Sequence, residues 1–296
     1  MEQLDPGTDI RFLSSSSQEI QPFQTYSYDQ IEDVFSWDPQ AAIICTPAPT
    51  HLSIGLKFLS RSVPTLIEKP LCTKDTSKDQ IEKSLSLSKA CPLLVGYTLR
   101  FSKGHQKLLE CIKEYDLGSL IELDFYCGSY LPHWRPEQDY KDTVSSQKDL
   151  GGGVVYELSH GIDLVNSVAG KHELLYSYTF NSSTLKVDVE DSMIIAAKSK
   201  YSPLTTVRQN FCTQPPSRLM TLRYSYGQLQ WDLVNQLITL MRPNADKVLF
   251  EVKQERNEMF GAMLHHFFDM IHHKCNPKCS INDAINVMQI IDKIDF

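Results

Sequence analysis

Apolar positions in the first hundred residues alternate between short continuous runs and helical spacings. The segment 9–15, DIRFLSS, predicts a strand closing in a Ser-rich turn, and 27–37 predicts a helix with Ile31, Val34 and Phe35 on one face. The run AAIICT at 41–46 predicts a buried strand, stopped by Pro47 and Pro49. A helix follows at 51–62, with Ile54, Leu56, Phe58 and Leu59 apolar. Then come a strand at 64–70, a charged helix at 76–90 and a strand at 92–98. This rhythm of strand and helix argues for βαβ units and a parallel sheet.

After residue 100 the pattern changes. One helix is predicted at 102–115. Segments 120–127, 174–180, 191–199, 204–212, 218–234 and 236–242 alternate apolar with polar and are joined by short turns. That suits an antiparallel sheet with one wet face. A helix at 153–169 interrupts the strands, and two more, at 255–273 and 281–293, close the chain. The expected boundary divides the chain into 1–98 and 99–296. The fold class is α/β, with a parallel sheet first and a largely antiparallel one second.

Composition removes several classes. Hydrophobic residues at 42% suffice for a sizeable core, and a net charge of −7 leaves no basic footprint for nucleic acid. No run is long enough to span a membrane, and MEQLDPGTDI does not read as a secretory signal. Eight cysteines are scattered through apolar segments, which argues for reduced thiols in a cytoplasmic protein rather than a disulfide framework. No three of the 13 glycines fit G-x-G-x-x-G or open a phosphate-binding loop.

Candidate chemistry concentrates in two stretches. In 41–71 one strand ends in Thr46-Pro47, His51 opens the next helix, and another strand ends in Glu68-Lys69-Pro70. Ligands of open parallel sheets bind beyond the carboxyl ends of strands, where these six residues are expected to lie. Lys69, partly desolvated there, can take part in proton transfer. It can equally be a surface residue at a strand–loop junction. In 150–170 three glycines precede a helical run carrying Glu157, His160 and Asp163. A carboxylate one turn from a His can orient the imidazole for general base work. The alternatives are a His packed against a neighbouring helix, or a metal site that this helix alone does not complete. The cluster of four His and two Cys at 265–279 lacks a usual metal-ligand spacing. Phe260, Leu264, Phe267 and Ile271 there predict a core-facing helix instead.

The run T-P-x-x-x-H…E-K-P, then GYTLRF (96–101), GSYLPHWRPEQDY (128–140) and GGGVVYELSHGIDLV (151–165), resembles the glucose–fructose oxidoreductase / inositol dehydrogenase (Gfo/Idh/MocA) family. The resemblance runs from about residue 9 to the C-terminus. It implies a Rossmann-like domain followed by an α/β domain with a large, mainly antiparallel sheet. It also implies NAD- or NADP-dependent chemistry on a sugar or polyol, without nucleic acid or membrane partners. By the same resemblance Lys69 and His160 carry the proton chemistry, with Glu157 beside His160. Ser14, Thr46, Pro47, His51, Glu68, Lys69 and Pro70 then face the dinucleotide, and Arg100, Trp134, Arg135, Tyr140 and Asp163 border the substrate. Self-association to a dimer or tetramer is a further implication. The wording of YLPHWRP resembles the branch found with surface-polysaccharide biosynthesis.

The family opens with a strand, a G-x-G-x-x-G turn and a helix, whereas this sequence holds eight residues before Asp9. That helix N-terminus grips the pyrophosphate, so the expectation is either a natural product longer than this sequence or a remodelled homologue with weakened dinucleotide affinity. Two functional expectations follow. One is a sugar or polyol dehydrogenase; the other is a non-catalytic homologue that binds a sugar or protein partner.

Overall fold

A computed structural model describes residues 9–14, 24–27 and 31–296, with backbone alone for Ser14 and for 24–27. The chain forms two compact units, 1–42 and 43–296. In the first, β1 (Arg11–Ser14) pairs in parallel with β2 (Gln24–Ser27). The Arg11 guanidinium lies 5.0 Å from the centroid of the Trp37 ring. The helix expected over 27–37 is instead the end of β2 and a 3-10 turn at Asp33–Trp37, with residues 28–30 outside the described set. Asp38 adopts a left-handed conformation (φ 52°) and Pro39 follows, so the turn cannot lengthen into an α-helix. Strand β2 carries no apolar period that would have revealed it.

The second unit begins within β3 (Ala42–Ile44) and continues through α1 (His51–Leu59), β4 (Thr65–Glu68), α2 (Lys78–Leu87) and β5 (Leu93–Gly96). The sheet order is β3-β4-β5, with β4 and β5 parallel. Leu66, Ile67, Leu94 and Val95 are all 0% exposed, as continuous apolar runs covered on both faces require. Ser77 caps α2 by accepting from the Gln80 N–H.

A 3-10 turn at Thr98–Phe101 leads into α3 (Lys103–Glu114), capped by Ser102. There follow β6 (Leu120–Gly128), the short α4 (Val154–Glu157), α5 (His160–Ala169), β7 (His172–Phe180), β8 (Ser192–Ser199) and β9 (Leu204–Asn210). Next are β10 (Ser217–Tyr224), β11 (Gly227–Asp232), β12 (Leu237–Met241), β13 (Val248–Glu251), α6 (Arg256–His273) and α7 (Ile281–Ile291). The eight strands run β13-β12-β11-β10-β6-β9-β8-β7, antiparallel throughout except for the β6–β9 pair. Leu123, Phe125, Ile195, Val207, Met220, Leu222, Leu229 and Ile238 form the inner face, which helices α3 and α5 cover.

Two further elements differ from expectation. The helix over 153–169 is broken at Leu158–Ser159 into α4 and α5. The buried seam of α6 is Met263, Phe267 and Met270; of the expected four, Phe267 alone is buried. Both stripes fit the helical period, so spacing could not choose between them. The end of the chain returns onto the parallel sheet: α7 packs on β5, and the Val95 N–H donates to the Cys279 carbonyl at 3.3 Å.

Two buried histidines give the unit a pH dependence. His105 Nε2 lies 2.9 Å from Ser167 Oγ, whose own proton goes to the Leu164 carbonyl, so Nε2–H is the donor. His172 Nδ1 lies 2.9 Å from Asn166 Oδ1 and its Nε2 lies 2.8 Å from Thr205 Oγ1. Burial lowers both rings to about 4, with Arg100 adding to the effect at His105. Above pH 6.5 both are neutral folded or unfolded. Below it the unfolded chain takes up protons that the folded chain refuses until about pH 4, so stability falls with pH across that window. Thermal melts between pH 7 and pH 4.5 should show a steady fall in Tm, and His172→Gln should flatten the fall if it folds. An unchanged Tm across this range would refute the argument.

Candidate active site

The strand ends of the parallel sheet supply one wall. At the end of β4, Glu68 accepts the Lys69 N–H at 3.2 Å. A Cβ at Gly96 would meet Glu68 backbone and carboxylate at 3.2 Å, so a small residue on β5 gives this carboxylate its place. Burial pushes the Glu68 carboxyl up, opposed by the neighbouring Lys69 charge. Thr46, Pro47, Glu68 and Lys69 are all partly exposed at this edge.

His51 and Pro70 are not. His51 is 2% exposed, with Nδ1 2.7 Å from the Pro70 carbonyl and Nε2 2.6 Å from the Thr46 carbonyl. The ring therefore fills the space between the chain leaving β3 and the chain leaving β4, the neutral form donating to one of the two carbonyls, and neither nitrogen is offered to a ligand. Burial, aided by Lys69, lowers its pKa despite the two carbonyls. Pro70 is buried too. Ser14, the remaining candidate for dinucleotide contact, has its side chain outside the described residues.

The second wall is the glycine-led segment. Gly151 (φ 78°) and Gly153 (φ 95°) occupy the left-handed side of backbone space. A Cβ on Gly153 would fall 2.2 Å from Glu190 Oε1. With glycine there, Glu190 accepts the Val155 N–H at 3.0 Å through its carboxylate and the Val154 N–H at 3.0 Å through its carbonyl. The start of α4 is capped in this way. A Cβ on Gly151 would touch Ala48 at 3.0 Å, so this segment sits directly on the Pro47–Pro49 turn.

The two walls meet at Lys69 and Glu157. Lys69 Nζ donates to the Glu157 carbonyl at 3.0 Å and lies 3.5 Å from its Oε1. Both side chains are largely buried, at 15% and 20% exposure. Ser145 Oγ, itself buried, donates to Glu157 Oε2 at 2.9 Å. Glu157 therefore serves Lys69 and Ser145. The expected hydrogen bond between Glu157 and His160 is not formed: the break between α4 and α5 takes them off a common helical face, and His160 Nδ1 has no partner among the described residues. Burial holds His160 well below the usual imidazole range, with Lys69 and Arg218 adding positive charge nearby.

Trp134, Arg135 and Tyr140 gather with Leu131, Thr143 and Ser145 around a small pocket. Trp134 Nε1 donates to Ser129 Oγ at 2.9 Å, and its ring meets Phe211 edge to face at 5.3 Å. Through Ser145 the pocket borders the Glu157–Lys69 couple. Arg100 and Asp163, expected at the same pocket, lie elsewhere. They are 8% and 0% exposed and face each other, with Arg100 Nη2 2.7 Å and Nε 2.9 Å from the carboxylate. Arg100 Nη1 donates to the Lys278 carbonyl at 2.9 Å. Burial opposes the guanidinium charge, but Asp163 outweighs it and raises Arg100. Burial likewise lifts Asp163, to about 6, against the pull of Arg100, so the pair is ionised at pH 7. This buried ion pair, with Asp283 a further 3.5 Å from Arg100 Nη1, ties three segments of the chain together. Sequence reasoning missed Ser145, which stands in no recognisable motif, and Tyr97, which GYTLRF contained.

A parallel βαβ sheet whose strand ends meet a glycine-led helix pair, backed by a broad sheet, defines an α/β architecture with its candidate ligand site at the strand ends. Residues 10–97 match the oxidoreductase family with an NAD-binding Rossmann fold, Gfo/Idh/MocA. An inositol 2-dehydrogenase of Arthrobacter sp. (strain FB24) is 33% identical over 185 residues, which cover 60% of this chain and 54% of that protein. The chain thus spans about half the length of that relative. Levoglucosan dehydrogenase, solved with NADH and levoglucosan, superposes with a TM-score of 0.78 at 13% identity, covering 92% of this chain and 82% of that one. An inositol dehydrogenase homolog from Azotobacter vinelandii, solved with NAD+, gives 0.75 at 14% identity, covering 90% and 79%. These structures share the fold. Residues 10–97 are thus similar to the NAD-binding Rossmann segment of the Gfo/Idh/MocA oxidoreductase family.

Proposed function

We propose that the chain catalyses NAD- or NADP-dependent oxidation or reduction at a hydroxyl or carbonyl of a sugar, sugar derivative or polyol. The observation that carries this reading is the junction of the two walls: Lys69 on Glu157, with His160 beginning the next helix. Residues 1–98 would serve the dinucleotide and 99–296 the substrate. Thr46, Pro47, Glu68 and Lys69 suit a dinucleotide edge, being partly exposed at strand ends where open α/β sheets bind ligands. When bound, the nicotinamide supplies the hydride acceptor or donor. The chain's own residues handle the proton. Lys69 Nζ, held by Glu157, donates a hydrogen bond to the reacting oxygen. His160 takes the hydroxyl proton as oxidation proceeds and returns it in reduction. Trp134, Arg135 and Tyr140 border the sugar beside Ser145.

Exposed Tyr176, Tyr178 and Phe180 on β7 favour self-association through the open sheet face. Eight unpaired thiols suit a cytoplasmic setting. A place in surface-polysaccharide assembly rests on the wording of YLPHWRP alone. Among the described residues no helix is long and apolar enough to cross a membrane.

Titration of the purified chain with NAD(H) and NADP(H), followed by a screen with inositol, levoglucosan and other polyols, tests the reading. Saturable micromolar binding and turnover are expected, with sedimentation giving a species larger than one chain. Absence of dinucleotide binding, both here and in any longer form containing this chain, overturns the reading and leaves the non-catalytic homologue.

A further inference from the structure

Three buried polar atoms without partners belong to two residues whose rings touch and to the residue preceding one of them. Among the described residues, Tyr97 Oη, Ser159 Oγ and His160 Nδ1 are buried and make no hydrogen bond. Tyr97 and Ser159 are each 0% exposed. The Tyr97 ring meets the His160 ring edge to face, with centroids 5.5 Å apart and planes at 83°. Ser159 precedes His160 in the chain and is close enough to act on the Tyr97 hydroxyl. Buried polar atoms are rarely left unpaired, because each costs about 1–3 kcal/mol. Three that adjoin one another can satisfy one another, directly after a small rotation or through one water.

We propose that Tyr97, backed by Ser159, is the positioning residue that fixes the orientation and tautomer of His160, the part that the sequence pattern gave to Glu157. This rests on the acid/base reading of His160. A base working through Nε2 needs its proton on Nδ1. Tyr97 Oη accepts that Nδ1–H and gives its own proton to Ser159 Oγ, so the three orphaned atoms form one chain. The charges acting on the ring are Lys69, from the end of β4, and Arg218, from β10; no carboxylate is among them. Hydroxyls are therefore what remains to hold the buried nitrogen, and Glu157 is already taken by Lys69 and Ser145.

The test is long-range proton–nitrogen NMR of the chain labelled at histidine nitrogen, without dinucleotide or substrate. His160 should show a protonated Nδ1 and an unprotonated Nε2. Tyr97→Phe, which removes only the hydroxyl, should move the tautomer ratio about fivefold toward Nε2–H, the equivalent of about 1 kcal/mol for one hydrogen bond. Ser159→Ala should move it in the same direction, and it carries the test if Tyr97→Phe does not fold. A protonated Nε2 in the parent chain, or an unchanged ratio in the folded variants, overturns the proposal. Where turnover is measurable, Tyr97→Phe should also displace the basic-group limb of its pH profile; a merely structural loss would scale the profile without displacing it. The NMR result stands apart from catalysis. A tautomer governed by Tyr97 in a chain whose His160→Ala variant keeps full turnover would retire the acid/base reading and leave this inference standing.

Discussion

Lys69→Ala and His160→Ala should each lower turnover by roughly 10²–10⁴-fold while leaving dinucleotide affinity nearly unchanged. The size is that of losing a positioned proton-transfer or hydrogen-bonding group. Lys69 is the sharper case because its ammonium is already localised, 3.0 Å from one Glu157 oxygen and 3.5 Å from another. A substrate oxygen arriving there meets a donor whose position Glu157 and Ser145 have set, so little ordering remains to be done in the transition state. The effect should fall on kcat more than on KM, since the interaction strengthens as charge develops on the oxygen. Glu157→Gln should cost less than either, because the backbone carbonyl still receives Lys69. Initial rates on whichever sugar or polyol supports turnover, with dinucleotide binding measured separately, decide the matter. A variant with normal turnover removes that residue from the proton chemistry.

The parallel half of the fold could be read from the chain because its signals were local. Buried runs such as TLIE and LLVG, separated by capped helical segments, leave little choice of pairing. Eight strands of the second sheet were harder, since alternation reveals a strand but not its neighbour; the parallel contact of β6 with β9 was not foreseeable. At the site, sequence spacing placed Glu157 and His160 on one helix, but a two-residue break at Leu158–Ser159 redirected both side chains. Local periodicity assumes an unbroken helix, and nothing in VVYELSHGID marks where it stops. Likewise, Arg100 and Asp163 are 63 residues apart. Each carries a charge suited to a sugar pocket, and only the folded chain shows that they neutralise each other.

That pairing makes Arg100→Met strongly destabilising, by about 3–5 kcal/mol, because it leaves the Asp163 carboxyl at 0% exposure with its principal partner gone. The tie also spans elements: Arg100 sits in the turn after β5, Asp163 lies within α5, and the Lys278 carbonyl that Arg100 reaches precedes α7. Losing it loosens the junction on which His160 is mounted. Asp163→Asn should cost less, since an amide oxygen still accepts from the guanidinium. The double variant Arg100→Met/Asp163→Leu should recover much of the loss, because it removes the buried charge together with its partner. Denaturant midpoints for the parent, both single variants and the double variant close the cycle. If Arg100→Met costs under about 1 kcal/mol, the range of an exposed pair, the guanidinium is free to turn toward a ligand and the assignment as a structural tie falls. If the singles cost as expected but the double costs their sum, the two charges act independently and the tie is again refuted. Recovery in the double, with dinucleotide binding retained, places the pair in the scaffold that aims the helix rather than in the chemistry.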